Sequence, residues 1–175
     1  AKRLDVPLGM FLSDTEVIVH GTTVSTNALV TRRTAPTALI ATRGHPDVLT
    51  LREAPRKKPW NWQLDYPEPF IPRNRTFEIG GRIDSLGAEV EPLSEQDVRA
   101  AAASIRNAGV EAVAVCFLWS FANPSHERRV AEILQEELPG LPVSLSHLVN
   151  PIPREYRRTI ATAIDASLRP VINTY

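Results

Sequence analysis

The chain has 175 residues, 43% hydrophobic and 23% charged, which is enough to bury a core and too apolar for a disordered tail. Its 20 Lys and Arg offset its 20 Asp and Glu, so no net charge favours nucleic acid or an anionic membrane as partner. No apolar run approaches the roughly 20 residues of a membrane span, Ala1-Lys2-Arg3-Leu4-Asp5 is no signal peptide, and the one cysteine, Cys116, cannot close an internal disulfide, so a cytoplasmic setting is expected.

Leu4, Val6, Leu8, Phe11 and Leu12 give the start an amphipathic pattern. The far end, Tyr175, comes soon after Val171-Ile172. Neither resembles a polar terminus, so the chain is expected to be a piece of a longer polypeptide; a processed start is the alternative. Thr15–His20, with Val17-Ile18-Val19, reads as a short buried strand. Gly21 ends it, and Thr22-Thr23 open a helix with Val24, Ala28 and Leu29 on one face. Pro36–Thr42 reads as a second buried strand, closed by Arg43-Gly44, with a helical turn over Pro46–Leu51.

From Ala54 to Arg73 the pattern dissolves among five prolines, while Trp60, Trp62, Tyr66 and Phe70 supply more aromatic surface than a linker needs. This 54–73 loop reads either as a surface loop pinned by its own aromatics or as a subunit interface or lid. Arg75–Ile83 alternates like a strand, and Asp84–Gly87 turns into Val90, so an antiparallel hairpin is expected over Phe77–Val90.

Periodicity is clearer in the second half. Ser94 is a good N-cap for a helix with Val98, Ala101, Ala102, Ile105 and Ala108 inward, ending at Gly109. Val113–Leu118 is a continuous apolar strand, and Asn123-Pro124 begins a helix with Val130, Ile133, Leu134 and Leu138 inward. Val143 and Leu145 mark another strand. The last helix carries Tyr156, Ile160, Ala163, Ile164 and Leu168 at helical spacing and is expected to stop before Pro170. Alternating strands and helices with fully apolar strands predict one α/β domain over 1–175: a mostly parallel sheet, helices on both faces, and an added antiparallel hairpin.

Chemical signatures are sparse. There is no GxxxxGK[ST], no GxGxxG after a strand, no HExxH and no CxxC, so no self-contained metal site is expected. What remains is the strand-to-helix corner His20, Gly21, Thr22, Thr23, Thr26 and Asn27. A glycine, free N–H groups and hydroxyls there suit a phosphate or carboxylate; the alternative is a helix cap with a satisfied histidine. Arg43 could pair with an anionic group of the ligand or make an ordinary salt bridge. His147 reads better as a packing residue than as a base, His126 has no evident task, Glu127 favours a helix dipole, and Cys116 belongs to the core. No residue presents itself as catalytic.

HGTTVSTNAL, His20 to Leu29, resembles the HGTTVATNAL motif of the hydantoinase A/5-oxoprolinase family. The likeness continues through ALIATRGHPDVL, Pro67–Arg73, GVEAVAVCFLWSFANPSHERRVAEIL and Glu155–Pro170, nearly the whole chain. Two departures stand out: Asp165 replaces a family amide, and Lys58-Pro59-Trp60-Asn61-Trp62 is uncommon wording. The resemblance implies a fold like part of a sugar-kinase/Hsp70-type ATPase. Its implied activity is that of part of an ATP-dependent cyclic-amide hydrolase of hydantoinase or 5-oxoprolinase type acting through a phosphorylated substrate. A ketone carboxylase subunit of acetone/acetophenone type is the alternative, and a non-catalytic assembly module a third. The family's DxGGTFTD hairpin is not in this sequence. ATP and Mg2+, or another divalent metal, are therefore implied for the complete enzyme, with none bound tightly by this chain alone. Implied partners are a cyclic amide, further domains or a hydantoinase B-type subunit, and further copies in an oligomer.

Overall fold

The computed structural model describes residues 6–17, 19, 21–53 and 67–174. In chain order the elements are α1 (Leu8–Ser13), α2 (Val24–Val30), β1 (Thr37–Thr42), α3 (Val48–Leu51), a 3-10 turn (Arg73–Arg75), β2 (Thr76–Ile79), β3 (Arg82–Ile83) and β4 (Glu89–Glu91). Then come α4 (Glu95–Asn107), β5 (Ala112–Cys116), α5 (Ser125–Glu137), β6 (Val143–Leu145), α6 (Ser146–Val149) and α7 (Glu155–Asn173).

Four strands form one parallel sheet in the order β2-β1-β5-β6. Leu39 pairs with Thr76 on one side of β1, and Leu39 with Ala114 on the other. Strand periodicity divides the side chains between two cores. Ala38, Ile40, Val113, Val115 and Phe117 face α4 and α5, meeting Val98, Ala102, Ile105, Val130, Ile133 and Leu134. Leu39, Ala41, Ala112, Ala114 and Cys116 face the opposite way, toward α3 and α7, meeting Leu49, Ala163 and Ala166. Helices therefore cover both faces of a parallel sheet, as the apolar strands require.

The α4 cap forms as its spacing predicts, with Ser94 Oγ accepting from the Asp97 N–H at 3.3 Å. Asn123 Oδ1 likewise accepts from the Ser125 N–H at 3.0 Å, one residue later than its sequence position suggests for the helix start.

Four expectations need correction. Among the described residues of Thr15–His20 there is no strand: Val17 and Val19 are 73% and 88% exposed, with no ladder partner. A β-branched run remains a strand only where a neighbour takes its backbone groups. The segment Arg75–Ile83 divides at Gly80-Gly81, so β2 joins the parallel sheet and only β3 and β4 make the antiparallel pair. Gly81 has φ 135, and a Cβ there would lie 3.0 Å from Leu93 Cα. Helix α7 passes through Pro170 to Asn173, because a proline one turn from a helix end forfeits only one backbone bond. Its inward face is wider than the apolar stripe: Ala163 and Leu168 of the stripe are buried and Tyr156 and Ile160 pack partly buried on the core, while Arg158, Thr159, Thr162, Ala166 and Ser167 are buried beside them. Of the 54–73 loop, residues 54–66 lie outside the described residues; Ile71 is buried against the α7 face of the sheet.

Ala114 sits fully buried opposite Ala163 and Ala166, so at this point β5 and α7 approach through methyl groups. Ala114→Leu should destabilise the fold by about 1–3 kcal/mol through overpacking, read as a lower urea midpoint. An unchanged midpoint would mean that α7 does not lie against β5.

Candidate functional site

Strand β1 sends the chain to β2 on one side, while β5 sends it to β6 on the other. In parallel sheets the crevice beyond the carboxyl ends of the strands at such a divergence is where ligands gather. At this edge lie Thr42 and Arg43 after β1, Phe117 to Ser120 after β5, and Ser146-His147 after β6.

The corner singled out from sequence lies elsewhere. His20 is outside the described residues. Gly21, Thr22 and Thr23 are exposed, and Thr23 occupies the N-cap position of α2. Thr22 Oγ1 accepts from the Val24 N–H at 3.3 Å, and Asn27 Nδ2 donates to Thr23 Oγ1 at 3.3 Å. Thr26 is exposed one turn on. Arg43 does not join them. Its guanidinium pairs with Asp97, on the α4 side of the sheet, whereas α2 packs on α7 at the other side. The Asp97 carboxyl also accepts from the Gly80 N–H at 3.0 Å; that bond first, helped by Ser94 and Arg43, lowers its pKa against the opposing effect of burial. The ordinary salt bridge is thus the Arg43 arrangement observed.

The edge is organised instead around Glu127, whose side chain is fully buried. Its Oε1 accepts from the Phe117 N–H at 3.0 Å and from the Ser146 hydroxyl. Its Oε2 accepts from the His147 N–H at 3.0 Å and lies 2.6 Å from His147 Nδ1. Burial alone pushes this carboxyl up, but the bonds from His147, Ser146 and the two backbone N–H groups outweigh it and hold the pKa below the ordinary carboxylate range. An ionised carboxylate only accepts, so the proton on His147 is at Nδ1. Ser146 spends its own proton on Glu127, so it accepts from Arg158 Nε at 3.2 Å and from Ser120 Oγ at 2.9 Å. Arg158 also donates to the Phe117 carbonyl at 2.8 Å and the Ile152 carbonyl at 3.0 Å, with its guanidinium 5.3 Å from the Phe121 ring centre.

Sequence reasoning missed this network, though a signal existed. Glu127 stands three, seven and eleven residues before Val130, Leu134 and Leu138, which places it on the apolar stripe of α5. Cys116 is core, as expected: burial pushes its thiol up to about 11, and Thr159 Oγ1 donates to its sulfur at 3.0 Å. His126 does have a partner, with Nε2 2.7 Å from Glu89 Oε1, tying the β3–β4 hairpin to α5. Asp165, the departure from the family wording, accepts from Ser144 Oγ at 2.6 Å and pairs with Arg169 at 2.9 Å, so it braces α7 on β6.

Residues 5–138 match the family described as the hydantoinase/oxoprolinase N-terminal region. The chain belongs to this family. A crystal structure of the ATP-dependent caprolactamase from Pseudomonas jessenii superposes with a TM-score of 0.86 at 36% identity, covering 99% of this chain and 26% of that one. The caprolactamase subunit alpha of Pseudomonas jessenii is 38% identical over 94% of this chain and 24% of its own length. The acetophenone carboxylase gamma subunit of Aromatoleum aromaticum is 36% identical over 88% of this chain and 23% of its own. The chain thus spans about a quarter of the length of these relatives. Within the hydantoinase/oxoprolinase region, then, an α/β layer ends in a polar edge held by one carboxylate. No helix among the described residues is long and apolar enough to cross a membrane.

Two outcomes test this edge. Glu127→Gln should cost about 3–5 kcal/mol, because an amide N–H would face the His147 N–H and Arg158 would lose its countercharge. The sign of its pH effect follows from the lowered carboxyl. Its contribution is complete above about pH 4.3, the unfolded value, and is lost as pH falls through the lower folded value. Denaturation midpoints of the variant should therefore flatten across that acid range. Second, Cys116 in the folded protein should resist iodoacetamide at neutral pH and react only on unfolding, followed by mass spectrometry; rapid labelling of native protein would refute the buried placement.

Proposed function

We propose that this chain is the N-terminal region of an ATP-dependent hydrolase that opens cyclic amides by way of a phosphorylated substrate. The observation that carries the reading is the superposition on the ATP-dependent caprolactamase over nearly the whole chain at 36% identity. An amide in a ring is a poor electrophile, and coupling its opening to ATP supplies the driving force that water alone does not. The related reading, a subunit of an ATP-dependent ketone carboxylase, is favoured by the 36% identity to the acetophenone carboxylase gamma subunit.

In this proposal the described residues contribute only part of the site for ATP and Mg2+. No group of three or more His, Cys, Asp or Glu converges among them, and the Gly21 corner holds no lysine. The rest of the nucleotide and metal site is supplied by parts of the complete enzyme other than these residues. Further domains or a hydantoinase B-type subunit complete the machinery, within a cytoplasmic oligomer. The His20–Asn27 corner remains the anion-contacting element proposed for this chain. In its support, the Thr22 and Thr23 hydroxyls belong to exposed residues and, among the described residues, make local bonds of 3.3 Å that a ligand can replace. Arg43, held by Asp97, acts in this proposal as a brace between β1 and α4.

The complete protein should release ADP in the presence of a hydantoin or a lactam. ADP release only with a ketone plus bicarbonate would replace this reading by the carboxylase. In the same assay Thr22→Ala or Thr23→Ala should lower turnover by about one to three orders of magnitude if the hydroxyls contact developing charge. Loss of a cap alone would cost about 1 kcal/mol of stability and leave turnover per folded molecule unchanged.

A further inference from the structure

One carboxylate holds His147 twice. Glu127 Oε2 accepts from the His147 backbone N–H at 3.0 Å and from its ring Nδ1 at 2.6 Å. The Glu127 side chain is fully buried, whereas the His147 side chain keeps 8% of its surface open. A ring that turns Nδ1 inward turns Nε2, two bonds away, outward, so Nε2 lies on the side that reaches the surface. Nε2 makes no hydrogen bond among the described residues, and it is not a buried orphan, a status that Arg52 Nε alone has among them.

Packing accounts for the burial of this ring but not for its orientation. The Phe117 N–H, the Ser146 hydroxyl and the His147 N–H already give the carboxylate three donors, so it does not need the ring as well. What the ring bond adds is control of the imidazole. It stops rotation, fixes the proton at Nδ1 and leaves the lone pair at Nε2. A buried, ionised carboxylate behind Nδ1 also stabilises the imidazolium that forms when Nε2 takes a proton. A base needs these properties, and a packing residue does not.

A second feature marks the same edge of the sheet. Trp119 leaves β5 with φ 58, a conformation that a bulky residue adopts at a cost and that concentrates at ligand sites. Its ring and that of Phe121 lie 5.5 Å apart and half-buried. Ser120, between them in the chain, reaches back into the network, with its Oγ 2.9 Å from the Oγ of Ser146, the neighbour of His147. The edge therefore joins flat apolar surface to one directed acceptor. An acceptor selects a ligand that brings an N–H or O–H, and a planar amide with an N–H meets both conditions.

We propose that His147 Nε2 is the proton acceptor of this edge and takes the N–H proton of a cyclic amide, with Glu127 holding the ring in position. The choice of a cyclic amide rests on the function proposed above; the open acceptor does not. As the N–H bond breaks, its electron pair forms the C=N bond and the carbonyl π pair moves to oxygen. That oxygen attacks the terminal phosphorus of the nucleoside triphosphate, and the diphosphate leaves with the P–O pair. The proton stays on Nε2, countered by the Glu127 carboxylate.

The experiment uses the complete protein with δ-valerolactam and its N-methyl derivative, which has no N–H. Calorimetry should show the wild type binding the N–H lactam about tenfold more tightly, the worth of one hydrogen bond. In His147→Asn the amide nitrogen can take the place of Nδ1 against Glu127, while nothing stands at Nε2. That variant should keep the wild-type urea midpoint, lose the preference between the two lactams, and release ADP about 10²–10⁴-fold more slowly. A preference that persists in His147→Asn, or unchanged ADP release, overturns the proposal. Should His147→Asn not fold, diethyl pyrocarbonate on the native wild type decides. It should acylate His147, and δ-valerolactam should protect the ring, read by mass spectrometry; no labelling, or labelling that saturating lactam leaves unchanged, overturns the proposal. An N–H preference that depends on His147, without ADP release, keeps the acceptor and removes the hydrolase reading. ADP release with equal binding of the two lactams does the reverse.

Discussion

The peptide group of Phe117, where the inner strand β5 gives way to loop, has its two backbone groups satisfied by side chains from opposite layers. Its N–H goes to Glu127 of α5 on one face, and its carbonyl accepts from Arg158 of α7 on the other. Burying a carboxylate and a guanidinium costs several kcal/mol per ion. Here the cost is offset because both Glu127 oxygens accept two bonds each and every Arg158 nitrogen donates one, with the Ser146 hydroxyl bridging the two charges. The arrangement fixes the position of α5 relative to α7 across the sheet, and apolar packing, which has no direction, would not do so. It also fixes where β6 ends, since Ser146 and His147 both bond to Glu127. Removal of the carboxylate would leave the donors of Phe117, Ser146 and His147 facing an empty interior.

Much of this fold was legible because its signals are local. Thr37–Thr42 and Ala112–Cys116 are apolar runs of strand length, and both are buried on both faces. Helix α4 carries its cap, its stripe and its terminating glycine in sequence, and all three are used. The errors arose where a non-local partner decides. Val17-Ile18-Val19 has strand composition, but composition does not supply the neighbouring backbone that a strand needs. Pro170 reads as a stop, yet its position near the end of α7 limits the damage to one bond, while the packing of Ala163, Ala166 and Ser167 favours continuing the helix.

The site was legible to a lesser degree, for a different reason. The type of a polar residue does not tell which face of a sheet its side chain reaches. Thr22, Thr23 and Arg43 share a chemistry suited to anions, but Asp97 draws Arg43 to the α4 side while α2 lies along α7. Glu127 stands in a first turn, where a carboxylate suits the helix dipole, yet its spacing from Val130 and Leu134 places it on the buried stripe. Charged residues at core positions of an amphipathic pattern are rare, so one that occurs there marks a network rather than an exception.

Small residues on α7 complete the link between packing and chemistry. The helix starts near the carboxyl edge, where Arg158 meets Phe117, and reaches the opposite edge, where the Ser167 carbonyl accepts from the Ala35 N–H at the entrance to β1. It therefore runs antiparallel to the strands, and its alanines bring its axis close to Ala112 and Ala114 of β5. That closeness has a consequence at the first turn. Glu155, one turn before Arg158, is carried in over the end of β1 and sits beside His45, partly out of water. A bulkier α7 face would lift the helix from the sheet and return that carboxyl to solvent, where its acidity would revert to that of an ordinary glutamate. The partial burial that pushes the Glu155 carboxyl up thus goes with the close seating of α7 on β5.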